Sequence, residues 1–161
     1  LARVRTRILF VCLGNICRSP LAEGVFRHLA REAGVLDRFE IDSAGTGDWH
    51  VGEPPDSRAA AVARKHGIEL SGRARQVTRE DLRNFDHVLA MDRDNLEELR
   101  RMAERAGATA KIRLLREHDP EAEGASDVPD PYYGGPSGFE EVYRIVSRSC
   151  RELLAELCAE A

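Results

Sequence analysis

Apolar residues come in two rhythms along this chain. Ile8-Leu9-Phe10-Val11 is an unbroken apolar run, so residues 5–12 read as a strand buried on both faces and ending at Cys12. Leu21, Val25, Phe26 and Leu29 then recur at helical spacing. Ser19 predicts the cap of that helix, Pro20 its first turn and Gly34 its end. The two rhythms alternate from there on. Strands are expected over 39–44, 86–91 and 111–115, and helices over 56–66, 78–83, 92–106 and 139–159. Gly67 and Gly107 sit where left-handed helix stops belong. Residues 45–55 form a loop rich in Gly and Pro, 69–76 an irregular stretch with Arg73 and Arg75, and 117–138 a long acidic loop. Strand–helix alternation implies parallel pairing with right-handed crossovers. The fold class is therefore α/β: a small, doubly wound, four-stranded parallel sheet with helices on both faces, in one domain over 1–161. Ligands of such sheets sit beyond the carboxyl ends of the strands, near the point where strand order reverses. That places the site on the loop after the first strand, which begins at Cys12.

Composition narrows the field. The chain has 161 residues, 42% of them hydrophobic and 32% charged, enough apolar material for a core. Its formal net charge of -4 argues against nucleic acid or an anionic membrane as partner. No stretch approaches the ~20 apolar residues of a membrane span, and the first apolar run falls short of the roughly 7–15 residues of a signal segment. A cytoplasmic location is expected. Cys12, Cys17, Cys150 and Cys158 do not make a dense disulfide framework and are expected as free thiols. The histidines are scattered, and a zinc site built on Cys12 and Cys17 lacks two further ligands, so neither metal nor cofactor is expected.

The loop Cys12-Leu13-Gly14-Asn15-Ile16-Cys17-Arg18-Ser19 has the spacing C-x5-R-S. It joins a strand to a helix N-terminus, so its backbone N–H groups can converge on one oxyanion, helped by the helix dipole. Gly14 is expected to allow a backbone conformation that a side chain resists. Arg18 offers a planar fork that grips two phosphate oxygens. The same positive surroundings favour a thiolate at Cys12, the nucleophile. Ser19 is expected to donate a hydrogen bond to its sulfur, and Asn15 to brace the loop against Ser43. A buried structural cysteine is the plain alternative, but it leaves the arginine, serine and helix start unexplained.

Cleavage of an aryl phosphate also needs an acid. A phenol ionises near ~10, so protonating the leaving oxygen contributes about 10²–10⁴ in rate. Asp130, in Asp130-Pro131-Tyr132-Tyr133-Gly134-Gly135, is the candidate, and Asp127 is a nearby decoy. Tyr132 and Tyr133 are placed to wall a substrate ring.

With these segments on view, the chain resembles the low-molecular-weight protein tyrosine phosphatases over nearly its whole length. Val11 to Pro20 and Asp130 to Tyr133 carry the resemblance. Asp42-Ser43-Ala44-Gly45-Thr46, Trp49, Gly52 and Ala90-Met91-Asp92 extend it. It implies a single phosphatase domain and a two-step, metal-free reaction through phosphocysteine on Cys12. Arg18 and the loop from Leu13 to Ser19 would bind phosphate, and Asp130 would act as acid and then base. Trp49 would face Tyr132 across the pocket mouth, beside Tyr133, with Ser43 and Asp92 in support. Partners would be tyrosine-phosphorylated proteins, with inorganic phosphate or other oxyanions as product or inhibitor. The resemblance also implies a reversible Cys12–Cys17 disulfide, against the alternative of Cys17 as a packed small residue. Gly72 departs from a pattern in which some members carry a loop-supporting histidine.

Three other functions share the loop. Phosphoarginine phosphatases resemble this chain but tend to carry threonine where it has Ile16. Related arsenate reductases need two further cysteines in mid-chain, and 82–89 and its surroundings hold none. A non-catalytic anion-binding module would use Arg18 and the loop amides alone.

Overall fold

The computed structural model describes residues 4–160, apart from the side chain of Pro136. Leu1, Ala2, Arg3 and Ala161, part of the span 1–161 expected as one domain, lie outside the described residues. In chain order the elements are β1 (Thr6–Cys12), α1 (Arg18–Glu32), β2 (Phe39–Gly45), α2 (Ser57–Lys65), α3 (Arg79–Asn84), β3 (His87–Ala90), α4 (Arg93–Ala106), β4 (Lys111–Leu114) and α5 (Pro136–Ala159). Short 3-10 turns precede β2 and follow β4.

The four strands form one parallel sheet in the order β2-β1-β3-β4. The expected doubly wound architecture is the one observed. The unbroken apolar run of β1 is explained by the helices on both faces of the sheet, because a central strand buries its side chains on each side. Ile8, Phe10 and Cys12 face a core shared with α1 and α5, while Leu9 and Val11 face one shared with α3 and α4. Strand order reverses between β1 and its neighbours β2 and β3, so the crevice opens directly above Cys12.

Two helix starts differ from expectation. α1 begins at Arg18, with Cys17 rather than Ser19 at the cap position and no side-chain cap bond. The Ser19 hydroxyl is engaged elsewhere, with Cys12 and Asn15. α5 begins at Pro136, three residues before the first inward-facing aromatic, Phe139, which is where an apolar pattern first becomes visible. The other caps follow from side-chain chemistry. Asp56, Thr78 and Asp92 each accept a backbone N–H at the start of α2, α3 and α4, and Gly107 ends α4 in the left-handed region. No helix among the described residues is long and apolar enough to cross a membrane.

Candidate active site

The loop leaving β1 turns back on itself beneath the start of α1, and its neighbours dictate the turn. Thr46 N–H donates to Cys12 O at 2.9 Å and Gly47 N–H to Leu13 O at 2.9 Å. These bonds pull the loop across Gly45, where a Cβ would stand 2.7 Å from the Leu13 carbonyl oxygen. Glycine is required at 45 for space. The conformational role expected of Gly14 belongs instead to Asn15, the loop residue with positive φ, at 57°. Gly14 is constrained by proximity, since a Cβ there would meet His50 Cδ2 at 3.0 Å.

Asn15 accepts the left-handed backbone because its side chain is bound on every side. Its Nδ2 donates to Ser19 Oγ at 2.8 Å and to Ser43 Oγ at 3.0 Å, and its Oδ1 accepts from Arg75 N–H at 3.0 Å. Ser43 in turn donates to Glu23 Oε1 at 2.6 Å, and Glu23 is held by Arg27 at 2.8 Å. The bracing of Asn15 against Ser43 is thus present without a side chain at Gly72, which turns through a φ of 87° beside this network.

The network also directs a proton. Ser19 Oγ accepts from Asn15, so its own hydrogen is free to point at Cys12 Sγ, 3.0 Å away, in preference to Ala44 O at 3.4 Å. Asn15 N–H donates to the same sulfur at 3.3 Å. Two donors aimed at one sulfur suit a thiolate. Cys12 and Cys17 are both buried free thiols. The Cys17 thiol is pushed up to about 12, first by burial and then by Asp56, Cys12 and Asp130, so it stays neutral.

Arg18 is 3% exposed and spends one nitrogen on structure. Its Nη1 donates to Asp92 Oδ2 at 2.7 Å and to Val128 O at 3.0 Å. Both Nη1 hydrogens are then used, which leaves Nε and Nη2 to face a bound anion. Burial alone would lower the Arg18 pKa, but Cys12, Asp92 and Asp130 outweigh it and hold it above its ordinary value.

Asp130 stands 3.8 Å from Arg18 Nη2 and is 43% exposed at the rim. Its Oδ1 accepts from Tyr132 N–H at 3.0 Å, leaving Oδ2 toward the cavity. Asp127 is turned away, its carboxylate accepting from Arg93 N–H at 3.0 Å. The cavity above Cys12 has a volume of about 440 Å³ and is lined by Cys12, Leu13, Gly14, Ile16, Cys17, Arg18, Trp49, His50, Asp130, Tyr132 and Tyr133. Asn15 and Ser19 lie behind it, with Ser43 beyond them. Asp92 acts on it through Arg18.

The rim of the cavity holds Trp49, Tyr132 and Tyr133, with His50 among them. Trp49 is 70% exposed and packs close against Gly47, where a Cβ would stand 2.0 Å from its ring. The ring that contacts Tyr132 from this loop is that of His50, at 6.1 Å between centroids. His50 is held by Glu53 at 2.8 Å. Its place at the rim escaped the sequence because no metal spacing marked it. The roles of Glu23 and Arg75 escaped too, since they act on Ser43 and Asn15 across 20 and 60 residues of chain. The one signal was Arg75 in an otherwise irregular stretch.

Residues 7–161 match the family described as low molecular weight phosphotyrosine protein phosphatase. The chain belongs to this family. The low molecular weight phosphotyrosine protein phosphatase of Sus scrofa is 46% identical over 156 residues, covering 96% of this chain and 98% of that one. Among solved structures, YfkJ from Bacillus subtilis superposes with a TM-score of 0.89 at 44% identity, covering 97% of this chain and 96% of that one. A drosophila arginine phosphatase superposes with a TM-score of 0.88 at 35% identity, covering 93% and 96%. The four-stranded parallel α/β fold is thus the one that the solved structures of this family share with the chain.

Proposed function

We propose that this protein hydrolyses phosphotyrosine in proteins, and small aryl phosphates, through a phosphocysteine intermediate on Cys12, with the whole chain 1–161 acting as one phosphatase unit. The observation that carries the reading is the pair of donors on Cys12 Sγ, from Ser19 Oγ at 3.0 Å and Asn15 N–H at 3.3 Å, at the floor of a cavity whose rim holds Asp130. In the first step the Cys12 thiolate attacks phosphorus and the bond to the phenolic oxygen breaks. Asp130 gives its proton to that oxygen, and tyrosine leaves neutral. Arg18 Nε and Nη2, with the loop amides from Leu13 to Ser19, hold the equatorial oxygens. In the second step Asp130, now a carboxylate, takes a proton from water as the water attacks phosphorus. The S–P bond breaks, inorganic phosphate departs, and Ser19 receives the thiolate with its hydrogen bond.

Depth supports the substrate class. Cys12 is 2% exposed beneath walls that include Ile16 and Tyr132, so a phosphate must be carried down on a long, flat side chain. Phosphotyrosine fits this, and the shorter phosphoserine does not. A second reading, phosphoarginine, has the likeness to the drosophila arginine phosphatase in its favour. Ile16 weighs against it, presenting an apolar wall where a guanidinium needs an acceptor.

The test is kcat/KM on a phosphotyrosine peptide and on a phosphoarginine peptide, with Cys12→Ser as the blank. Turnover of phosphotyrosine that vanishes in Cys12→Ser is expected. A preference for phosphoarginine would overturn the substrate class while leaving the nucleophile in place.

A further inference from the structure

Asp130 belongs to a long return from the end of β4, and the beginning of that return is fastened by a cluster of charges away from the cavity. Asp119 has a fully buried side chain, yet it keeps its charge because four donors surround it. Arg148 of α5 donates to it through Nε at 2.9 Å and Nη2 at 3.1 Å, Glu121 N–H at 2.9 Å, and Arg116 Nε at 3.2 Å. Burial pushes the Asp119 carboxyl up, but these donors outweigh it and hold it below the usual carboxylate value.

Arg116 does more than neutralise. Its Nη1 crosses to donate to the backbone carbonyl of Asp127 at 2.9 Å. One guanidinium therefore joins Asp119, at the start of the excursion, to Asp127, at its end. The next residue, Val128, is tied to the sheet by its N–H, 2.7 Å from Met91 O, and its carbonyl accepts from Arg18. Asp130 follows two residues later.

We propose that Arg116, backed by Asp119 and Arg148, is a positioning residue for the general acid: it clamps the two ends of segment 119–127 together and so fixes where Asp130 meets the leaving oxygen. The proposal rests on the reading of Asp130 as that acid. Arg116 touches neither the cavity nor the phosphate. Its loss leaves Arg18 bonded to Asp92 and leaves the donors on Cys12 intact. The effect should therefore fall on protonation of the leaving group and spare phosphate binding and nucleophilic attack.

Leaving groups separate these. Phenyl phosphate expels a poor leaving group and needs the acid; dinitrophenyl phosphate expels a good one and does not. Since misplacement by about 1 Å costs on the order of 10²-fold, Arg116→Gln should lower kcat/KM for phenyl phosphate about 10–100-fold. It should leave dinitrophenyl phosphate within about twofold, because acid catalysis contributes little there. Arg148→Gln, acting one bond further out, should show the same selectivity at smaller amplitude, and thermal melts establish that both variants are folded. Asp130→Asn on the same two substrates is the control. If Asp130→Asn is selective and neither arginine variant is, the clamp is wrong and the acid assignment stands. If Asp130→Asn is itself unselective, the acid reading falls and the clamp falls with it. An equal loss on both substrates in the arginine variants would also overturn the proposal, since it would mark general damage to the fold.

Discussion

Asn15 is the residue on which the shape of the anion loop turns, and two substitutions there separate its two roles. Asn15→Gly removes the side chain and keeps a backbone at ease with a φ of 57°. It deletes three hydrogen bonds, to Ser19, Ser43 and the Arg75 amide. At about 1 kcal/mol net for each, the loss is about 3 kcal/mol. Ser43 keeps Glu23 and Ser19 keeps Cys12, so neither hydroxyl is orphaned outright. Asn15→Ala makes the same deletions and also forces a Cβ into the left-handed region. That adds about 1 kcal/mol, after allowing for alanine's stiffer unfolded chain. Urea unfolding should rank wild type above Gly above Ala. Melting should drop by about 6–12 °C for Asn15→Gly, given roughly 2–4 °C per kcal/mol at this chain length. An alanine variant as stable as the glycine variant would refute the left-handed backbone. Two variants within about 0.5 kcal/mol of wild type, the ordinary range of surface substitutions, would refute the bracing role of the network.

Three further outcomes follow from the same geometry. Gly45→Ala places a Cβ 2.7 Å from Leu13 O and 3.2 Å from Asn15 N, both backbone atoms. It should cost about 1–3 kcal/mol in stability and lower kcat/KM about tenfold or more by displacing the loop; unchanged kinetics would contradict the close approach. Asp127→Asn should leave kcat/KM for phenyl phosphate within about threefold, while Asp130→Asn should lower it by about 10²–10⁴, in steady-state assays of both. Stability should also fall in alkali, because burial raises Cys17 from 9.0 to about 12 and raises Cys150 as well. The unfolded chain releases these protons as pH passes the ordinary thiol value while the folded chain retains them. Stability is then lost as pH rises, by about 1.4 kcal/mol per pH unit for each thiol. Urea midpoints over an alkaline series measure this slope, and Cys150→Ala should roughly halve it.

Most of the fold was legible because its signals are local. The run Ile8 to Val11 identifies a central strand without any knowledge of its partners, and Gly107 ends α4 where the pattern says it should. The start of α1 departs from its sequence signal for an informative reason. A serine before an apolar helix usually caps it, but Ser19 instead serves the sulfur of Cys12, so the rule fails at the site where chemistry takes the hydroxyl. Cys12 and Arg18 at the floor of the cavity and Asp130 at its rim were legible from spacing and residue type. The residues that hold them were not. Glu23 and Arg75 reach Ser43 and Asn15 across 20 and 60 residues of chain, because the fold brings separate segments together; Arg116 bonds residues only 3 and 11 positions away, but in an irregular return with no periodicity to mark it. Trp49 shows the opposite limit, since its loop position was clear from sequence but its close packing against Gly47 depends on a missing Cβ.

The central claim is that Cys12 carries the phosphoryl group, and trapping that intermediate tests it most directly. Turnover of an aryl phosphate would be quenched in milliseconds and the peptide containing Cys12 analysed by mass spectrometry. The account predicts one phosphoryl group on Cys12, absent in Cys12→Ser and accumulating in Ser19→Ala, where the thiolate leaves less readily. Turnover with no phosphoryl group on Cys12, or with one on another residue, would contradict it.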